Sequence, residues 1–253
     1  MCKNFNDINA HPRDCRISFE PISHVYTATC ADGSLVECKS VTTVVGDFFE
    51  KFDADYWANR KATPFRTAEM IKAEWERKGQ IARDLGTQLH DWIERFYLGE
   101  TPQPEALADK AFSNFLAFAK NTELHPYRSE WRIFSEKYRV AGTLDFLVCS
   151  PQGVYEIYDW KRSSKLLDPN HGLICSNSFG KTGRGFLSHI PDTTYHHYAL
   201  QLSLYRYILE EEYGICVSQG HLGIFHPDYN EPVVKDVPYY RNEAQSILQS
   251  MMI

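Results

Sequence analysis

The chain has no stretch near the roughly 18 to 20 consecutive apolar residues that a membrane-spanning helix needs. Its opening, Met-Cys-Lys-Asn-Phe-Asn-Asp, has no apolar signal-peptide region. These absences predict a soluble intracellular protein with no membrane partner. Cys-x-x-Cys spacing is missing as well. The seven cysteines, Cys2, Cys15, Cys30, Cys38, Cys149, Cys175 and Cys216, are odd in number and scattered. A zinc or iron–sulfur site would have to be assembled from distant residues, so free thiols in a reducing compartment are expected. No nucleophile elbow, phosphate loop, internal repeat or low-complexity segment is present. Basic excess is also lacking: 27 Lys and Arg stand against 33 Asp and Glu, a net charge of −6. Nucleic-acid-binding domains are usually basic. However, carboxylates that hold metal ions lower net charge while basic residues can act locally. Local candidates are Arg60-Lys61 with Arg66, Lys161-Arg162 with Lys165, and Lys181 with Arg184.

What remains is a chain of 253 residues, 43% hydrophobic, enough for one large domain or one domain with a helical elaboration. Alternation over 15–39 around Asp32-Gly33 predicts a hairpin. A helix is expected over 41–63, capped by Ser40 or Thr42 and broken by Pro64. One long helix or two abutting ones cover 66–98, closed by Gly99. Another spans 103–121, with Leu107, Phe112, Phe115, Leu116 and Phe118 as its apolar face. Strands follow at 128–138, 143–149 and 154–160, the last two joined by a turn at Pro151-Gln152-Gly153. Residues 163–190, rich in Ser, Gly and Asn, read as a long functional or disordered loop. A helix at 192–213 ended by Gly214, strands at 216–226 and 232–238, and a helix at 240–251 complete the chain. This order predicts an α/β (α+β) fold, a mixed central sheet flanked by helices.

Two aspartates sit symmetrically about the predicted turn: Asp145 and Asp159 have residue 152 as their midpoint. In register their Cβ atoms would be about 5 Å apart, and like charges so placed repel unless a cation lies between them. An exposed acidic pair in a hairpin of slipped register competes with this from spacing alone. Lys161 shares the strand face of Asp159, and Trp160 faces the other side and packs. An Asp-x-Lys triplet arises by composition about once in 300 residues, so the triplet alone carries little weight. His90 and Glu94 are an i, i+4 pair on one helix face, left to a polar cleft if Trp92, Ile93 and Phe96 form the buried face. Gln201 and Tyr205 are a second such pair.

The order of these motifs resembles the PD-(D/E)XK nuclease superfamily. Gly86-Thr87-x-x-His90-x-x-x-Glu94, Gly142-Thr143-x-Asp145, Asp159-Trp160-Lys161 and Gln201-x-x-x-Tyr205 follow one another over about 86–209. The resemblance is to the RecB-like exonuclease branch, of the mitochondrial genome maintenance exonuclease type. Val41-Thr42-Thr43-Val44 and Phe52-Asp53 resemble leader helices of some viral members. The resemblance implies a restriction-endonuclease-like core over 86–253, preceded by a hairpin and helical elaboration over 1–85. It implies a metal-dependent nuclease, with DNA ahead of RNA, acting on free or single-stranded ends in an unresolved host compartment. An endoribonuclease and a catalytically silent binding module are the alternatives. Asp145 and Asp159 would bind Mg²⁺ or Mn²⁺ with His90 and the Trp160 carbonyl, and no iron–sulfur cluster is implied. Lys161 would orient or activate water and stabilise charge, and Gln201 would support it. Glu130 would be the acidic residue of the first core strand, and Tyr205 would line the strand path. Glu94, Glu130 and Tyr205, with Lys181 and Arg184 as phosphate grips, are thus the candidate substrate-side residues.

Overall fold

The computed structural model describes residues 4–252, so Cys2 lies outside the described residues. The other six cysteines carry free thiols. No helix among the described residues is long and apolar enough to cross a membrane.

A short helix α1 (Phe5–Ile8) leads into an antiparallel meander, β1 (Ile17–Glu20), β2 (Val25–Thr29) and β3 (Leu35–Ser40), one strand more than the hairpin expected over 15–39, because the chain also turns between Glu20 and Val25. Ser40 ends β3 and caps α2 (Val41–Asp47), its hydroxyl accepting the Thr43 N–H. The single helix expected over 41–63 is in fact two. The chain leaves helical geometry after Asp47, buries Phe49, and starts α3 (Ala54–Lys61) where the Asp53 carboxylate accepts the Tyr56 N–H at 2.8 Å. Next, α4 (Ala68–Tyr97) runs unbroken for 30 residues. The helix expected over 103–121 is also split, into α5 (Pro104–Ala108) and α6 (Lys110–Asn121). Asp109 caps α6 through the N–H groups of Ala111 and Phe112, a local bond that competes with helix continuation. The break turns Leu107 outward, contrary to its expected place on the apolar face, while Phe112, Phe115 and Phe118 are buried.

Strands β4 (Pro126–Ser135), β5 (Val140–Cys149) and β6 (Tyr155–Lys161) follow, then α7 (Thr194–Glu212), β7 (Val217–Ile224), β8 (Val233–Val237) and α8 (Arg241–Gln249). Segment 163–190 contains one 3-10 turn, Gly185–Leu187, and two isolated bridges, Leu167 to Leu173 and Thr182 to Pro191. All eight strands join one mixed sheet in the order β1-β2-β3-β5-β6-β7-β8, with β4 along the far edge of β5. Parallel β6 and β7 require a crossover, and α7 supplies it. Helices cover both faces. One apolar cluster joins α2, α7 and α8 to the sheet, and a second joins α4 and α6 to Phe146, Trp160 and Phe225.

β3 and β6 share one edge of β5. β3 runs parallel to it at Val140 and Ala141, and β6 runs antiparallel from Phe146 to Cys149. Among the described residues, positions 142–145 between them have no strand partner on that edge. This opening in the sheet is where the candidate site forms.

Close approach on β7 demands glycine at one position: a Cβ on Gly223 would lie 2.6 Å from Cε3 of the buried Trp160 indole. Gly223→Ala should destabilise the fold by about 1–3 kcal/mol through overpacking. A urea titration reads this as a lower midpoint with an unchanged slope.

Candidate metal centre

Beyond the pair Phe146 and Tyr158, β5 and β6 part. The same register carried one step further sets Asp145 opposite Asp159, as the turn midpoint implies. There the Trp160 N–H donates to Asp145 Oδ2 at 2.8 Å instead of to a β5 carbonyl. Strand β6 meanwhile pairs with β7 through Asp159, Trp160 and Lys161. The Trp160 ring points away from the opening and packs among Phe115, Phe118, Phe146 and Phe225.

On the other side of β5, register places Glu130 opposite Asp145, between the pairs Ser129–Phe146 and Trp131–Leu144. Glu130 adopts φ +44°, a left-handed conformation that a side chain with a Cβ disfavours by about 1–2 kcal/mol. Its neighbour is clamped to overcome this. Ser129 N–H donates to Asn6 Oδ1 at 2.9 Å, Asn6 Nδ2 to Ser129 Oγ at 3.0 Å, and Ser129 Oγ to Glu94 Oε1 at 2.9 Å. Glu94 therefore ties α4 to β4.

Helix α4 supplies His90. The imidazole Nε2 lies 2.7 Å from the Trp160 carbonyl, which can only accept, so Nε2 carries a proton. The carbonyl expected to join a metal shell is thus bonded to His90 and orients it. Nδ1 is left facing Glu130 Oε1 at 3.6 Å and Asp145 Oδ2 at 3.7 Å. Ligand atoms of His90, Glu130 and Asp145 all lie within 4.8 Å of one another.

Asp159 is outside this three-residue group. Its Oδ2 is 2.5 Å from Lys161 Nζ, yet this buried oxygen accepts no well-aligned hydrogen bond. Its Oδ1 accepts a long bond, 3.4 Å, from Gln201 Nε2, which also reaches the Tyr205 hydroxyl at 3.4 Å. Burial pushes the Asp159 carboxyl up against the pull of Lys161, with Asp145 adding to the rise. Burial pulls Lys161 down, but Asp159 and Asp145 outweigh it, so the amine stays an ammonium. Nζ also sits 4.5 Å from the Tyr198 ring centroid. The Tyr205 ring packs so closely on β5 that a Cβ at Gly142 would lie 2.6 Å from it, which accounts for the glycine of Gly142-Thr143-x-Asp145.

This arrangement suits a divalent cation. Two carboxylates and one imidazole nitrogen converge, and the Nε2 bond of His90 is the outer-sphere contact that orients a metal-binding histidine. Asp159 Oδ2 is already met by the Lys161 ammonium at 2.5 Å and is not part of this group. Oxygen and imidazole donors together fit a divalent metal ion.

The site opens into a cleft of about 510 Å³ floored by His90, Gly142, Thr143, Lys161, Gln201 and Tyr205. Its walls include Tyr26, Ser40, Thr42, Arg83 and Thr87. Arg83 and Thr87 carry no sequence motif as a pair, but with His90 and Glu94 they form an i, i+4, i+7, i+11 stripe on α4, the signal that could have found them. Lys181 and Arg184 do not line the cleft. Lys181 pairs with Glu50 at 2.7 Å, and the backbone N–H of Arg184 donates to Phe48. Of the aromatic residues near the start of α7, Tyr195 and His196 are buried, whereas His197 and Tyr198 line a second cavity.

No family model matches the chain, and no curated protein matches it. Among solved structures it is similar to SSO0001, at 14% identity over 85% of this chain and 74% of that one, with a TM-score of 0.35. It is also similar to a protein of Eubacterium rectale named "Putative exonuclease", at 12% identity over 85% of this chain and 77% of that one, with a TM-score of 0.40. Likenesses this distant assign no activity.

In the metal-free protein, burial pulls the His90 imidazole down, but the nearby Asp145 and Glu130 carboxylates outweigh burial and raise it from 6.5 to about 9. A base raised on folding stabilises the protein fully below its unfolded value, and that stabilisation disappears as pH climbs through the folded value. In EDTA, the wild type should therefore lose unfolding free energy relative to His90→Gln between pH 6.5 and about 9, by a few kcal/mol at most. Mn²⁺ affinity should rise over the same window, because the ion must displace the Nδ1 proton. Chemical denaturation and calorimetry at several pH values test both, and parallel pH profiles for the two proteins would contradict the assignment.

Proposed function

We propose that this protein is a metal-dependent nuclease that hydrolyses phosphodiester bonds, with DNA as its substrate and free or single-stranded ends as its point of attack. The observation that supports this most is the convergence of ligand atoms of His90, Glu130 and Asp145 within 4.8 Å, with a buried ammonium, Lys161, lining the same cleft as His90. His90, Glu130 and Asp145 would hold Mg²⁺ or Mn²⁺, with Asp159 close by as a further oxygen donor. Such an ion supplies a more acidic bound water and neutralises phosphate charge.

The remaining work falls to this chain's own side chains. Lys161 Nζ donates to the phosphoryl oxygen on which negative charge grows, an interaction that strengthens towards the transition state. An ammonium has no lone pair, so Lys161 stabilises charge and does not accept the proton of water. Asp159 keeps Lys161 protonated and restricts its reach. Gln201 restrains Asp159, and Tyr205 restrains Gln201 through the same 3.4 Å contacts. The Trp160 carbonyl keeps His90 in the tautomer that offers Nδ1. Thr87 and Arg83 on the cleft wall offer a hydroxyl and a guanidinium to the phosphates on either side of the cleaved one.

Asp145→Asn should keep the fold, since the amide oxygen can still accept the Trp160 N–H, while cleavage drops by at least about a hundredfold. Lys161→Ala should abolish cleavage to a similar degree. It should also cost stability, on the order of 3 kcal/mol, because Asp159 is then buried without its counter-charge. End-labelled single-stranded DNA, duplex DNA and RNA of one sequence, each incubated with Mg²⁺, Mn²⁺ or EDTA, provide the assay, and circular dichroism provides the folding control. Near-normal metal-dependent cleavage by either variant would falsify the proposal. Cleavage of the RNA alone would favour the endoribonuclease alternative.

A further inference from the structure

A cavity of about 570 Å³ lies between segment 163–190 and the first turn of α7. We infer that it is a subsite for one unpaired nucleotide, adjoining the reaction centre and supplied with a single strand. This rests on the nuclease reading for its role but not for its binding chemistry.

Tyr198 is the shared wall. It lines this cavity, and its ring also carries the Lys161 ammonium 4.5 Å from the centroid. A nucleotide seated in the cavity is therefore one side chain away from the phosphate proposed for Lys161. The cavity holds a cation available to a phosphate. Asp192 is engaged by His197 at 2.9 Å, whereas the Lys165 ammonium forms no ion pair among the described residues. The rim suits a base. Phe179 is 72% exposed and lines the cavity, so its ring face is open to a stacking partner. The Trp57 ring centroid is 6.3 Å from that of Phe179, and the Arg60 guanidinium lies 6.0 Å over the Trp57 ring. Aromatic rings interleaved with cations along a groove are the general means of holding single strands, since every base has a π-face to stack. In a duplex both faces are already covered, so the rim selects an unpaired base. The same residues give segment 163–190 a purpose. Its length builds the cavity wall, and Phe179 stands at its apex.

The test uses the full chain in EDTA, so that nothing is cleaved. Fluorescence anisotropy compares a labelled oligothymidylate with a blunt duplex of equal length, for the wild type, Phe179→Ala and Lys165→Ala. Both side chains are exposed, so neither substitution threatens the fold. The single strand should bind the wild type at least about tenfold more tightly than the duplex, and each substitution should weaken that binding about tenfold. Lys165→Ala should also lower the slope of log affinity against log salt by about 0.7. Equal single-strand affinity in all three proteins, or none in the wild type, overturns the subsite. Mn²⁺ calorimetry on the same three proteins, dialysed free of EDTA, separates the two proposals. Normal Mn²⁺ binding with unaffected strand binding removes the subsite alone. Absent Mn²⁺ binding with strand binding that depends on Phe179 removes the hydrolytic reading alone.

Discussion

The bond from the Trp160 N–H to Asp145 Oδ2 holds the parted sheet together. Two strands that separate mid-sheet leave backbone donors and acceptors without partners, and a buried unpaired N–H is expensive. Here a side-chain carboxylate takes the place of the missing carbonyl. The strands can then diverge without exposing an orphan, while the opposite edge of β6 stays paired with β7 along its whole length. The oxygen that accepts this bond, Asp145 Oδ2, also faces His90 Nδ1 at 3.7 Å, so that one residue serves both the sheet and the site.

Three further elements converge on that point, each under a different constraint. Strand β4 brings Glu130 opposite Asp145 at the expense of a left-handed backbone, held in place by Asn6, Ser129 and Glu94. Helix α4 brings His90, whose orientation is set by the Trp160 carbonyl. Helix α7 brings Gln201 and Tyr205, and Tyr205 can approach only because Gly142 has no side chain. The result is a dense negative cluster with two nearby positive charges, protonated His90 and Lys161. Without a cation, the His90 proton compensates the carboxylates of Asp145 and Glu130. A divalent ion held there would take the place of that proton and do the same work with more charge.

Much of the fold is legible in the chain. Period-2 alternation, the Pro151-Gln152-Gly153 turn and the long amphipathic runs locate the strands of the core and α4, α7 and α8 within a few residues. The errors have a common cause. Asp53 and Asp109 act as caps inside what look like continuous helices, and a capping carboxylate competes with the helix through bonds that periodicity does not record. Leu107 is misplaced for the same reason, since the break at Asp109 separates α5, which carries Leu107, from the apolar face of α6.

In the candidate site, sequence spacing alone determined which residues could meet. Asp145 opposes Asp159, Lys161 shares the face of Asp159, and His90 shares a helix stripe with Glu94, because strand and helix periods are fixed by backbone geometry. Only the tertiary structure decided which of them do meet. It grouped Glu130 with His90 and Asp145, turned Asp159 towards Lys161, gave the Trp160 carbonyl to His90 and left Lys181 with Glu50. Local periodicity sets the direction of a side chain relative to its own element. The separation of two strands and the docking of a helix across them depend on packing between residues distant in sequence, such as Trp160 against Phe115 and Tyr205 against Gly142.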